Sequence, residues 1–209
     1  MITHVKRGVY LGCGIARHPD FNIDYVDTDK AVHPTYCMKM EDVDLSEYEF
    51  YICTPPCNFW SHATSEEHCS AYALETKHLL EWAIETLSKT GKPFIIENVK
   101  NKPRMEKYGI FSLARKHGLY IQEVGRHTYF TNDMIDLSCA QSKDFKKGGI
   151  RLQSKRKTQG GANVHKVIEK WIWGIVPTAY DPTAEFYATI KIPNSLLRDL
   201  RHIARSSKQ

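Results

Sequence analysis

The 209-residue chain has no run approaching the roughly 20 uninterrupted apolar residues of a membrane span, which argues against a transmembrane helix. Its opening, MITHVKRGVYLG, lacks a signal peptide's apolar core and small-residue cleavage site, so a cytoplasmic location is expected. The cysteines Cys13, Cys37, Cys53, Cys57, Cys69 and Cys139 show no paired Cys-x-x-Cys spacing, which argues against a zinc site. Nothing points to an oxidising compartment, so they are expected to be free thiols. There is no internal repeat.

What is present fits one globular domain with a sizeable core. The net charge of +5 is unevenly placed: KDFKKGGIRLQSKRK, residues 143–157, carries seven basic residues against one acid. Such a stretch is either a contact for a polyanion or a solvated lysine-rich loop.

Short runs rich in Val, Ile, Tyr and Phe read as strands: RGVYLG, FNIDYVD, YEFYIC, KPFIIEN and LYIQEV. Between them the period is helical. In SAYALETKHLLEWAIETLSKTGKP, Leu74, Leu79, Leu80, Ala83, Ile84 and Leu87 form one apolar stripe that Gly91 and Pro93 close. A second helix is expected over 104–117. Strands alternating with helices predict an α/β fold with a mostly parallel sheet. From about 132 to 160 the pattern dissolves into polar, basic sequence, read as a loop or small insertion. The apolar section that follows is expected to pack back on the domain as helices.

Open parallel sheets bind ligands beyond the carboxyl ends of their strands. Four features sit at such ends: GCGIA (12–16), Asp27 in YVDTD, TPPC (54–57) and ENV (97–99). A Gly-x-Gly turn followed by an acid after the next strand is how nucleotide-type cofactors are held. Gly12 and Gly14 equally suit a tight strand exit, and Asp27, Asp29 and Asp42 equally suit ordinary loop acids.

Pro55 and Pro56 end the strand and present Cys57 on a stiff corner, because proline lacks a donor and fixes φ. A free thiol of pKa roughly 8.5 is only a few per cent thiolate at neutral pH, yet intrinsically very nucleophilic. The alternative is a packed cysteine in a proline turn. An acid at the tip of a buried strand beside an apolar wall, as in FIIENV, tends to be held neutral and to donate a proton. A helix cap or a surface ion pair would use the same residue differently. A constrained nucleophile beside a neutral carboxyl suits addition to an electron-poor ring.

TPPCNFWS followed by FIIENV resembles the Pro-Cys and Glu-Asn-Val motifs of DNA (cytosine-5)-methyltransferases, particularly compact phage and prophage forms. GCGIA is similar to that family's first motif, YVDTD to its second and MEDVD to its third. GRHTYFTND resembles its arginine segment. The resemblance runs over residues 8–132. It implies a Rossmann-like class I fold, with a catalytic core over 1–131, a reduced target-recognition region over 132–165 and a helical segment over 166–209. It also implies S-adenosylmethionine as cofactor and duplex DNA with a flipped base as partner. Cys57 would add to cytosine C6 and Glu97 would engage N3. Asn98 would order the cysteine loop, and Arg126 would hold base and loop. Gly12, Cys13, Gly14, Asp27, Asp42 and Pro55 would bind the cofactor. Ser61, Arg126, Thr128, Lys146, Lys147, Arg151, Lys155, Arg156 and Lys157 would meet nucleic acid.

Several positions depart from the family's pattern. The first motif has Gly12 in place of phenylalanine, and Ala16 and Arg17 stand where its second glycine pair is expected. The connection to the second strand is too short for the usual long helix. Thr128 replaces the second arginine. With so little chain left for target recognition, weak specificity, a partner protein supplying it, or a substrate other than a long duplex is expected. Two other readings follow from the same residues: a degenerate member that binds nucleic acid without methylating, and an enzyme modifying pyrimidine C5 in RNA or a nucleotide.

Overall fold

The computed structural model describes residues 6–63, 65–134 and 156–175. Seven strands form one sheet: β1 (Gly8–Leu11), β2 (Ile23–Asp27), β3 (Tyr36–Cys37), β4 (Phe50–Cys53), β5 (Phe94–Val99), β6 (Tyr120–Val124) and β7 (His127–Thr131). Their order is β3-β2-β1-β4-β5-β7-β6. Strands β1 to β5 pair in parallel, whereas β7 is antiparallel to both β5 and β6. The mostly parallel α/β sheet expected from the alternating pattern is therefore present.

All five expected strands are found, together with two the pattern did not single out. Strand β3 is two exposed residues long, too short to carry a period. Strand β7 forms a hairpin with β6 through Gly125 and Arg126, and Gly125 has the positive φ (58°) that the first position of a two-residue hairpin turn favours.

The helices are α1 (Ala71–Thr76), α2 (Leu79–Lys89), α3 (Lys102–Lys107), α4 (Ile110–Lys116) and α5 (Arg156–Ile175). The single apolar stripe expected from Leu74 to Leu87 is corrected: the helix divides at Lys77–His78. Helix α2 buries Leu79, Leu80, Ala83, Ile84 and Leu87, while α1 buries Ala73 and turns Leu74 outward. The expected helix over 104–117 also divides, because Gly109 (φ 72°) takes a left-handed conformation between α3 and α4. Helix α5 begins at Arg156, inside the stretch read as insertion, and runs past the expected boundary at 165.

Alternate strand residues feed two apolar layers. Val9, Leu11, Tyr51, Cys53, Phe94, Ile96 and Phe130 pack with α2, α3 and α4 on one face. Tyr10, Phe50, Ile52, Ile95 and Tyr129 are buried on the other, and α5 covers it with Val167, Ile168, Trp171 and Ile172. The Phe50 and Trp171 rings meet edge-on at 6.3 Å, and Phe21 meets Trp173 at 4.7 Å. Phe50 lies directly over Gly8, where a Cβ would stand 2.1 Å from its ring. Lys6 Nζ donates to the Ile175 carbonyl at 3.0 Å, a cation on the last carbonyls of α5.

No helix joins β1 to β2. Arg17 fastens this connection instead: its guanidinium donates to the carbonyls of Gly14 (3.0 Å), Ala16 (2.6 Å), Val32 and His33 (2.9 Å). It also lies 4.6 Å from the Tyr25 ring centroid. A planar fork of five donors suits this cluster of carbonyls. Among the described residues no helix is long and apolar enough to cross a membrane.

Because β2 lies on one side of β1 and β4 on the other, the chain reverses its direction of winding between β1 and β4. The crevice at that reversal is where open α/β sheets take ligands. The loops after β1 and β4 form its two sides.

Candidate active site

On the β1 side, the amides of Gly12 and Cys13 both donate to the Val26 carbonyl, at 2.9 and 3.1 Å. Thr54 closes the loop from the β4 side, with its amide on the Leu11 carbonyl (2.9 Å) and its hydroxyl on the Gly12 carbonyl. Gly12 has φ 69°, and a Cβ there would stand 2.6 Å from the Thr54 carbonyl oxygen. Glycine is thus required twice over, by conformation and by close approach. Nothing lies within 4 Å of the corresponding point on Gly14, which leaves its surface open.

Asp27 stands at the end of β2 as expected and braces this loop. Its Oδ2 accepts from the Gly14 amide at 2.8 Å and its Oδ1 from the Asp29 amide at 3.0 Å. Each carboxylate oxygen keeps a second acceptor site. Cys13 is buried, and burial pushes its thiol up to about 11, so it offers a ligand backbone rather than a reactive sulfur. Asp42 is exposed on a single 3-10 turn whose Met40 packs beneath Gly12. These groups fit the glycine cradle and polar acceptors that a nucleotide-type cofactor needs.

On the β4 side, the proline corner is held from three directions. Asn98 Nδ2 donates to the carbonyl of buried Pro55 at 3.0 Å. Asn101 Nδ2 donates to Trp60 at 2.8 Å, and Arg104 reaches the carbonyls of Phe59 and Ser61. The Ser61 amide closes the turn on the Cys57 carbonyl at 2.9 Å. Farther along, Glu66 accepts from Lys107 Nζ (2.7 Å) and the Tyr108 hydroxyl (2.8 Å), fixing the loop to α3. Cys57 is left exposed at the corner.

Strand β5 brings Glu97 to the same edge. Its side chain is only 12 % exposed, and its Oε1 lies 2.5 Å from His127 Nδ1 on β7. Burial, and secondarily the Glu97 carboxylate, push the Tyr10 and Tyr129 hydroxyls above the ordinary range. Desolvation first and Glu97 second push the Cys57 thiol up as well. Cys57 and Glu97, singled out separately in the sequence, therefore lie within electrostatic reach of each other.

Arg126 occupies the exposed hairpin turn, and its carbonyl accepts from the Lys100 amide at 2.7 Å. Thr128 pairs with Asn98 in the sheet and is fully buried, with no partner for its hydroxyl among the described residues. A nucleic-acid contact at Thr128 would require removal of what covers it. Ser61 is half-buried, with its hydroxyl accepting from the Ala63 amide at 3.1 Å. Lys146, Lys147, Arg151 and Lys155 lie outside the described residues. Arg156 and Lys157 fall on the first turn of α5, where the backbone alone is described.

Sequence reasoning missed three residues. Arg17 was noticed only as a departure, yet it seals the connection beside the glycine turn. His127 was passed over between Arg126 and Thr128. Tyr72, half exposed on α1, has its hydroxyl pushed up by burial first, then by the charges of Asp27 and Cys57. Among the described residues no group of three or more His, Cys, Asp or Glu is placed to hold a metal.

No family model matches the chain, and no curated protein matches it.

Proposed function

We propose that this protein is a DNA (cytosine-5)-methyltransferase that uses S-adenosylmethionine. The observation that carries the reading is the placement of Cys57 and Glu97 at the carboxyl ends of the neighbouring parallel strands β4 and β5, tied together by the Asn98–Pro55 hydrogen bond beside the reversal of the sheet. The reversal between β1 and β4, with helices on both faces, supports a Rossmann-like methyltransferase fold.

In this reading the Cys57 thiol loses its proton to solvent and Sγ bonds to C6 of cytosine, while Glu97 in its protonated form donates to N3 and takes that proton back when the adduct collapses, so that electron density moves to C5. S-adenosylmethionine, when bound, supplies the methyl group that C5 takes. Loss of the C5 proton to solvent and cleavage of the sulfur–C6 bond then release Cys57. The raised thiol means that Cys57 ionises as the base arrives rather than beforehand. Asn98 holds the cysteine loop through Pro55. Arg126 lies at the same edge, where it would hold the base. Gly12, the Cys13 backbone, Gly14, Asp27, Asp42 and Pro55 would hold the cofactor.

A cytosine inside a duplex is unreachable, so the base is flipped out at a cost of a few kcal/mol. Ser61 and the basic residues Lys146, Lys147, Arg151, Lys155, Arg156 and Lys157 would meet phosphates, which give affinity without reading sequence. A partner protein would then supply the choice of target.

The test is a covalent trap. Wild-type protein mixed with cofactor and duplex DNA carrying 5-fluorocytosine should give a denaturation-resistant protein–DNA band that Cys57→Ala does not. The short, Arg17-sealed β1–β2 connection favours a second reading, a protein that binds nucleic acid without transferring methyl. Absence of the band together with absence of calorimetric S-adenosylmethionine binding would support that second reading.

A further inference from the structure

Strand β7 runs antiparallel to β5, pairing Tyr129 with Glu97 and His127 with Val99. His127 is therefore the diagonal neighbour of Glu97 on the same face of the sheet, within reach of a long side chain. The two side chains meet, His127 Nδ1 to Glu97 Oε1, at 2.5 Å. Both are mostly shielded, at 22 % and 12 % exposure.

The Tyr10 hydroxyl of β1, the Tyr129 hydroxyl of β7 and the Cys57 thiol are also near enough for the Glu97 charge to disfavour their ionised forms. No hydrogen bond joins any of these to Glu97 among the described residues. The second oxygen, Oε2, has no hydrogen-bond partner there either. A glutamate's terminal torsion is broad and roughly two-fold, so an unheld carboxylate at a strand end would sample many orientations. One short hydrogen bond to Oε1 removes that freedom and leaves Oε2 as the oxygen to be presented.

We infer that His127 is a positioning residue that captures Oε1 of Glu97 and so aims Oε2, the oxygen that carries the carboxyl proton when the base is bound, at the ring nitrogen of the pyrimidine whose C6 Cys57 attacks. The inference rests on the methyltransferase reading above. It adds a residue from outside the Pro-Cys and Glu-Asn-Val segments, delivered by the hairpin rather than by a loop.

The experiment compares His127→Asn and His127→Gln in methyl transfer to duplex DNA. Asparagine can place its amide near the position of Nδ1, whereas glutamine carries its amide one carbon farther out. His127→Asn should keep kcat within about threefold of wild type. His127→Gln should lose about 10- to 100-fold in kcat with KM for DNA within about twofold, the scale on which misplaced reacting groups cost rate. Melting curves separate loss of orientation from loss of fold, and His127→Ala replaces the glutamine variant if that one does not fold. Equal kcat in wild type and both variants would overturn the inference, as would equal impairment of both. A wild-type protein inactive in methyl transfer and in the fluorocytosine trap would instead bring down the methyltransferase reading, and the inference with it.

Discussion

Asn98 Nδ2 donates to the Pro55 carbonyl at 3.0 Å across a buried gap, tying the end of β5 to the loop that carries Cys57. Proline gives that loop its stiffness but leaves a carbonyl pointing into the protein, and Asn98 is the group that satisfies it. The bond makes the position of Cys57 depend on the strand that carries Glu97.

Asn98→Leu should therefore destabilise the protein by about 1–3 kcal/mol, the cost of a buried carbonyl without its partner. For a chain of this size each kcal/mol lowers the melting temperature by about 2–4 °C. A circular dichroism melt checks the shift, and limited proteolysis within 57–68 should quicken in parallel.

Cys57 should react slowly at neutral pH. Partial desolvation by the surrounding loop, and then the Glu97 carboxylate, disfavour the thiolate of the exposed Cys57, so its alkylation by iodoacetamide should rise with pH through a midpoint above the ordinary thiol value of roughly 8.5. Glu97→Gln removes one of the two causes, and the midpoint should move to lower pH. Peptide mass spectrometry of the Cys57 peptide reads both curves. An unchanged midpoint would show that the carboxylate does not act on the thiol.

Gly12 and Gly14 both have positive φ, but only Gly12 has a backbone oxygen where a Cβ would stand. Gly14→Ala should cost about 1–3 kcal/mol for the conformation alone. Gly12→Ala carries the same strain plus the overlap with the Thr54 carbonyl and should be clearly the worse of the two. Urea unfolding midpoints measure the order.

Arg17→Lys should loosen the β1–β2 connection, because an ammonium cannot reproduce the planar fork that reaches Gly14, Ala16, Val32 and His33. Amide exchange over 12–17 and 30–34 should accelerate, while that of α2 stays as in wild type. Equal protection in both proteins would mean that the loop holds itself.

Strands β1, β4 and β5 were legible because most of their residues are buried on both faces and read as apolar runs such as GVYL, FYIC and FII. Strand β3 was not, since two exposed residues leave no pattern. Helices were legible in type and not in extent. Lys77–His78 carries no proline or glycine to mark the break before α2, and the left-handed turn at Gly109 was passed over within the expected second helix. The basic composition of Arg156 and Lys157 read as loop, although both lie on the first turn of α5.

At the site, Cys57 and Glu97 were legible because adjacent parallel strands bring their carboxyl ends together. His127 was not, because its contact with Glu97 depends on the antiparallel register of a hairpin. Arg17 was not, because its partners are backbone carbonyls of two loops and carry no side-chain signature. Thr128 stands in line with Arg126 in the sequence, but strand alternation buries it against β5.

A methyl-transfer site for cytosine formed by Cys57 and Glu97, as proposed, is tested most directly by transfer of labelled methyl from S-adenosylmethionine to duplex DNA by wild type and by Cys57→Ala. Such a site should place label at cytosine C5 with wild type and none with the variant. Label transferred equally by both proteins, or by neither despite cofactor binding by the wild type, would contradict it.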